Sequence, residues 1–255
     1  DRPLSAEQAA GWLAEAWESG SPLAPLPPEL APTDREAGEA MAAALVAALG
    51  IPVCGVRMLP GPLVGGRRAM ISAPLLEPRM LRAGTPVALA TLRHATLSAG
   101  VLGVLAEALG AEEKQPPVFA SLHPVLDISA WRFRDVPGDA GAAVADLAGL
   151  GYVLVGKRSL MPLPGQAEVR LGQTGSRPRA IQENLGALMD EAASEARRWG
   201  GLPAGAALVV AGLGGMMPVQ AGPVQAGPMQ GEGEQPARKY SAAVAGVGRI
   251  SAILS

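Results

Sequence analysis

Ser121–Phe133, SLHPVLDISAWRF, carries one of the chain's two histidines, an aspartate and a tryptophan inside an apolar run. Val, Leu and Ile around Asp127 predict a strand over Val125–Phe133. Asp127 is its one acid, and it is either a working active-site carboxylate or the remnant of a site whose other parts have gone. The residues on either side of this stretch bear on that choice.

Composition sets the first bounds. A chain of 255 residues is long enough to bury a substantial core. Apolar residues make up 49% but aromatics only 3%, so Ala, Val and Leu must build that core by close backbone approach. Glycine (33) and proline (24) imply many turns and short elements. Net charge is -2 and basic residues form no stripe, which argues against nucleic-acid binding. The one cysteine, Cys54, lies in an apolar run and reads as a buried free thiol. Residues 199–231 carry no charge, but prolines, glycines and glutamines interrupt them, so a buried strand and a long loop are expected rather than a membrane span. The chain opens at Asp1 rather than Met, which suits a trimmed form or a mature chain after removal of a leader.

Helices come first. SAEQAAGWLAEAWESG has Ser5 and Gln8 in a capping-box pattern, apolar residues at helical spacing, and Gly20 as a stop. After a Pro-rich link, Thr33 is the expected cap of a second helix through DREAGEAMAAALVAALG. Strands are then expected at Pro52–Met58, Pro86–Leu92, Leu97–Leu105, Val125–Phe133, Tyr152–Val155, Ala167–Leu171, Ala207–Val210 and Tyr240–Leu254, with helices at Gly141–Gly149 and Ile181–Trp199. That order suggests an α+β fold, with residues 1–50 as a helical segment packed on a domain of residues 51–255. The tandem PVQAG, PVQAG, PMQG marks a repeat-containing loop, 218–239, expected to be a loop insertion. A docking segment over 216–239 using Met216, Met217 and Met229 is its alternative.

Familiar catalytic motifs are missing. There is no G-x-S-x-G elbow, H-E-x-x-H or Walker loop, and GLGG at Gly212–Gly215 lacks the spacing of a phosphate loop. His94 and His123 have no acid-and-nucleophile partners nearby in sequence.

The ordered blocks carry more. CGVRM, HPVLDISAWRF, VADLAGLGYVLVG, the long ENLGALMDEAASEARRWGGLPAGAALVVAGLGG segment and YSAAVAGVGRISAIL follow one another collinearly. Together they resemble the 2-keto-4-pentenoate hydratase branch of the fumarylacetoacetate hydrolase superfamily. The resemblance implies a mixed β-roll with flanking helices, homo-oligomers, and a cytoplasmic location, an exported or periplasmic chain being the alternative. It also implies Mg2+ or Mn2+ held by three carboxylates for lyase chemistry on 2-oxo acids: an oxygen-ligated hard cation that stabilises enolate charge.

The chain departs from that pattern at the site. Aligned from Arg93, LRHATLSAGVLGVL puts Ala95 and Leu97 where the family has a Glu-x-Glu, leaving Asp127 alone. Arg57 stands for the family's pocket lysine, Arg79 for an acidic pocket residue, Leu147 for an asparagine and Trp131 for a small serine. One carboxylate is too few for a dedicated Mg2+ site. Three readings follow. The first is a non-catalytic homologue, a scaffold or partner-binding subunit with no cofactor. The second is a metal-independent lyase or hydratase, in which Arg57 and Arg79 bind a substrate carboxylate while Asp127 or His123 moves protons. The third is a relocated metal site built from His94, His123 and Asp127.

Overall fold

The computed structural model describes residues 6–220 and 237–255. Helices α1 (Ala6–Ser19) and α2 (Arg35–Leu49) come first. They are followed by strands β1 (Val53–Val64), β2 (Arg67–Leu76), β3 (Met80–Arg82), β4 (Thr96–Leu105), β5 (Leu109–Gly110) and β6 (Phe119–Ser129). Helix α3 (Ala140–Ala145) leads to β7 (Leu150–Val155), β8 (Ala167–Gln173) and β9 (Ile181–Glu183). Helix α4 (Leu185–Arg198), β10 (Gly201–Leu202), β11 (Ala207–Pro218), β12 (Arg238–Val244) and β13 (Gly248–Leu254) complete the order.

Seven strands form one mixed sheet in the order β2-β1-β11-β4-β6-β7-β3, with β1/β11 and β3/β7 parallel. A second sheet runs β13-β12-β8-β9. One face of the large sheet, carrying Leu97, Ala99, Leu126 and Ile128, packs against the second sheet and α4. The other, carrying Ala73, Val125, Val153 and Val209, lies under α1, α2 and α3. This is the expected α+β roll with helices around it. Small residues permit the close approaches: a Cβ on Gly38 of α2 would collide with the carbonyl of Gly141 in α3.

Local chemistry explains several boundaries. Asp34, not Thr33, caps α2, its carboxylate accepting from Ala37 N at 2.8 Å, because the aspartate sits one residue closer to the first turn. Ser5 lies outside the described residues. Gly65 and Gly66, both at positive φ, make the two-residue turn between β1 and β2. That hairpin was not expected, since β2 begins on two arginines and contains a proline. The Pro86–Leu92 strand is absent: Val87 makes one bridge to Leu254 and Leu89–Thr91 is a 3-10 turn. Tyr240–Leu254 is a hairpin rather than one strand, broken at Gly246 and Gly248. Ile181–Glu183 is a strand, so α4 starts only after the Asn184 cap. GLGG lies within β11, where the ladder to β4 shifts register, and the strand runs on from it to Pro218. Met216 and Met217 belong to β11 and pack one on each core, while Met229 and most of 218–239 lie outside the described residues. Among the described residues no helix is long and apolar enough to cross a membrane.

Candidate functional site

Arg57 projects from β1 onto the face covered by α1–α3, where its strand neighbours are Ala73 and Val209. Asp127 projects from β6 onto the same face. Two strands, β11 and β4, stand between them, so a flat sheet would hold them about 14 Å apart. The sheet curls enough for them to meet. Arg57 Nε donates to Asp127 Oδ2 at 2.6 Å and Nη2 donates to Oδ1 at 2.8 Å. Nη2 also donates to Ser129 Oγ at 2.7 Å, and Nη1 to the carbonyl of Ala148 at 2.9 Å. Ser129 in turn donates to Asp127 Oδ1 at 3.2 Å. Neither charged side chain reaches solvent: Arg57 is 1% exposed and Asp127 0%. Burial on this scale demands a partner, and the bidentate fork supplies it.

A second buried pair adjoins the first. Asp146 accepts from Arg132 N at 2.8 Å and Nε at 2.7 Å, while Arg132 Nη1 donates to the carbonyl of Leu150 at 2.6 Å. Burial pushes the Asp146 carboxyl up, and the Arg132 charge and hydrogen bonds oppose it. Between Asp146 and Leu150 the chain runs left-handed at three successive residues, with φ of 51° at Leu147, 53° at Ala148 and 68° at Gly149. Leu and Ala adopt that conformation at a cost of about 1–2 kcal/mol each. It turns the Ala148 carbonyl toward Arg57.

Arg79 stands at the edge of this group, half-buried, with its guanidinium carbon 4.5 Å from the centre of the Trp17 ring and 4.9 Å from that of Tyr152. Its one hydrogen bond among the described residues, to the carbonyl of Gly151, is 3.4 Å long. Burial lowers its pKa, partly countered by Tyr152 and Asp146. Trp131 packs over Gly149, where a Cβ would come within 2.8 Å of its ring. The histidines stand apart. Exposed His94, at a φ of 52°, meets the carbonyl of Arg134 at 2.8 Å. His123 meets the carbonyl of Gly156 at 2.9 Å, four residues along β6 from Asp127 and thus roughly 13 Å away. The structure does not bring His94, His123 and Asp127 together. Among the described residues no three His, Cys, Asp or Glu side chains gather as metal ligands would.

Ala95 and Leu97 do not share a face with Asp127. Leu97 lies opposite Ile128, and it packs with Ala95 in the core on the far side of the sheet. Ser98 is the residue opposite Asp127, and the β4 residues nearest it on that face are Thr96, Ser98 and Gly100. Ser98 Oγ accepts from Gly212 N at 2.9 Å, and a Cβ on Gly100 would collide with the Val210 carbonyl. No acid is present at these positions either. Among the described residues Arg57 pairs with Asp127 and Arg132 with Asp146 while Arg79 has no carboxylate partner, which leaves the group a formal charge of +1 before any cation is added. With both Asp127 oxygens engaged by a guanidinium, the residues present do not fit Mg2+ or Mn2+.

Ser129, Arg132 and the left-handed Ala148 went unremarked in the sequence. An arginine and an aspartate, each alone in a buried strand, were the signal that such a pair must exist.

Comparison with solved structures gives the fold a context. 4-Oxalocrotonate decarboxylase from Pseudomonas putida G7, complexed with magnesium and adipate, superposes with a TM-score of 0.73 over 100% of both chains at 15% identity. 2-Hydroxyhepta-2,4-diene-1,7-dioate isomerase from Mycobacterium marinum gives a TM-score of 0.52 over 80% of this chain and 76% of its own, at 12% identity. The fold anticipated from the fumarylacetoacetate hydrolase resemblance is thus the fold found. No family model matches the chain, and no curated protein does.

Proposed function

We propose that this chain is a fumarylacetoacetate hydrolase superfamily homologue that serves as a non-catalytic scaffold or partner-binding subunit. The observation that carries the reading is the Arg57–Asp127 pair, which consumes the one acid left from the expected ligand set. The carboxylate has no oxygen free of a charged donor, and Arg57 is too committed to bind a substrate carboxylate. Arginine is also a poor general base. Assembly with a protein partner or with further copies of the chain belongs to the same proposal.

The test is turnover of 2-oxo-4-pentenoate-type acids and their decarboxylation precursors, with Mg2+ or Mn2+ supplied. The reading predicts no product above the uncatalysed rate. Hydration or decarboxylation that Asp127→Asn abolishes would overturn it.

A metal-independent lyase or hydratase remains the second reading, favoured by one observation. Arg79 has donors beyond its single long bond and no carboxylate partner among the described residues, so it, rather than Arg57, would hold the substrate carboxylate. Metal-free turnover lost in Arg79→Ala would establish this reading.

A further inference from the structure

We infer that Asp127, Ser129 and the Ala148 carbonyl form a preorganised cradle selective for a guanidinium ion, and that Arg57 is its built-in ligand. The inference rests on the reading above that this site is closed to metal. Its basis is the shape of the cradle. The two Asp127 oxygens, Ser129 Oγ and the Ala148 carbonyl receive N–H groups from three different nitrogens at 2.6–2.9 Å. Those nitrogens lie at the corners of a planar fork, so the oxygens are aimed at a triangle of points. A Mg2+ ion needs oxygens converging on one centre at about 2.0–2.1 Å, and an ammonium is likewise a single point of charge. The cradle therefore discriminates by geometry as well as by charge.

The Ala148 carbonyl is aimed by a backbone conformation unfavourable to Leu147 and Ala148. Such a conformation persists where surrounding contacts over-determine it: Gly149 N donates to the Asp146 carbonyl at 3.0 Å and the Gly149 carbonyl accepts from Ala130 N at 2.8 Å, contacts that do not involve Arg57. The guanidinium ties β1 to β6 and to the turn before β7. A side chain closes the roll here, in a fold where the Pseudomonas decarboxylase is complexed with magnesium.

Chemical rescue tests the inference. Removing the side chain with Arg57→Ala leaves the cradle empty, and thermal unfolding is followed while guanidinium or methylguanidinium is added at about 1–20 mM, far below denaturing strength. The expected result is a saturable rise in Tm of about 3–6 °C at ten times Kd, absent from the unsubstituted chain. Ammonium, Na+ and Mg2+ at matched ionic strength should give no such rise. Rescue by Mg2+ in preference to guanidinium would overturn the proposal, as would no rescue by either.

Should Arg57→Ala fail to fold, the unsubstituted chain supplies the second measurement by 15N NMR. The Arg57 Nε–H is expected to exchange far more slowly than those of exposed arginines and to stay unmoved by MgCl2. Fast exchange would sink the inference. Turnover of 2-oxo acids by the unsubstituted chain would overturn the non-catalytic reading but leave the rescue result intact, so the two fail separately.

Discussion

Exchanging Arg57 for Met while keeping Asp127 strands a carboxylate at a position of 0% exposure, with Ser129 alone among the described residues left to donate to it. Breaking a buried pair from one side costs about 3–5 kcal/mol, because the remaining charge is uncompensated. For a chain of 255 residues that is a fall in Tm of about 6–20 °C. Asp127→Leu should cost a similar amount by stranding Arg57, whose remaining acceptors would be Ser129 and the Ala148 carbonyl. The double substitution Arg57→Met/Asp127→Leu removes both charges and fills the space with apolar atoms, and such replacements are often neutral or stabilising. The expected cycle is therefore strongly non-additive, with a coupling of about 3 kcal/mol or more. Equilibrium urea unfolding followed by tryptophan fluorescence measures all four corners. Single substitutions that each cost under about 1 kcal/mol, or that simply add, would refute the idea that a paired charge sits in this core.

Three further outcomes are expected. Ala148→Gly relieves a left-handed residue and should raise stability by up to about 1 kcal/mol in urea unfolding, whereas Ala148→Val should lower it. Glu195→Gln removes the charge that receives Arg35 and the Ser72 hydroxyl between α2, β2 and α4, with an expected loss of about 1–3 kcal/mol; an unchanged Tm would contradict that role. Burial pushes the Cys54 thiol up to about 11 from an ordinary value of 9.0. At pH 8 its thiolate fraction, and with it the rate of alkylation, should be roughly 100-fold below that of a free thiol. The raised pKa means that the thiol's contribution to stability is fully present below about pH 9 and is lost as pH rises toward 11. Alkylation at pH 8 as fast as for an unfolded peptide would contradict this.

Much of the fold was legible because its strong signals are local. The two N-terminal helices show apolar spacing and stops, and β4, β6, β7 and β11 contain apolar runs, although β6 spans Phe119–Ser129 rather than Val125–Phe133 and β11 runs on to Pro218. Local signals failed where partners decide the outcome. β2 is a strand because β1 folds back on it through Gly65 and Gly66, although its own sequence starts Arg67-Arg68. Val87 makes only an isolated bridge, so its apolar neighbours never become a strand.

Asp127 and Arg57 were both singled out from the sequence, yet as separate groups of an opened pocket. Their meeting depends on the curl of a seven-stranded sheet and on register, neither of which is written in either strand alone. The same dependence explains Ala95 and Leu97. A strand's faces alternate with period two, so Ala95 and Leu97 face the core opposite to the one that Asp127 and its neighbour Ser98 face.

The central claim is that the Asp127 site already holds its cation. Titrating Mn2+ into the purified chain, with free Mn2+ counted by electron paramagnetic resonance, tests it most directly. The account predicts that any weak surface binding is the same in the unsubstituted chain and in Asp127→Asn. A stoichiometric site of micromolar affinity that Asp127→Asn abolishes would contradict it.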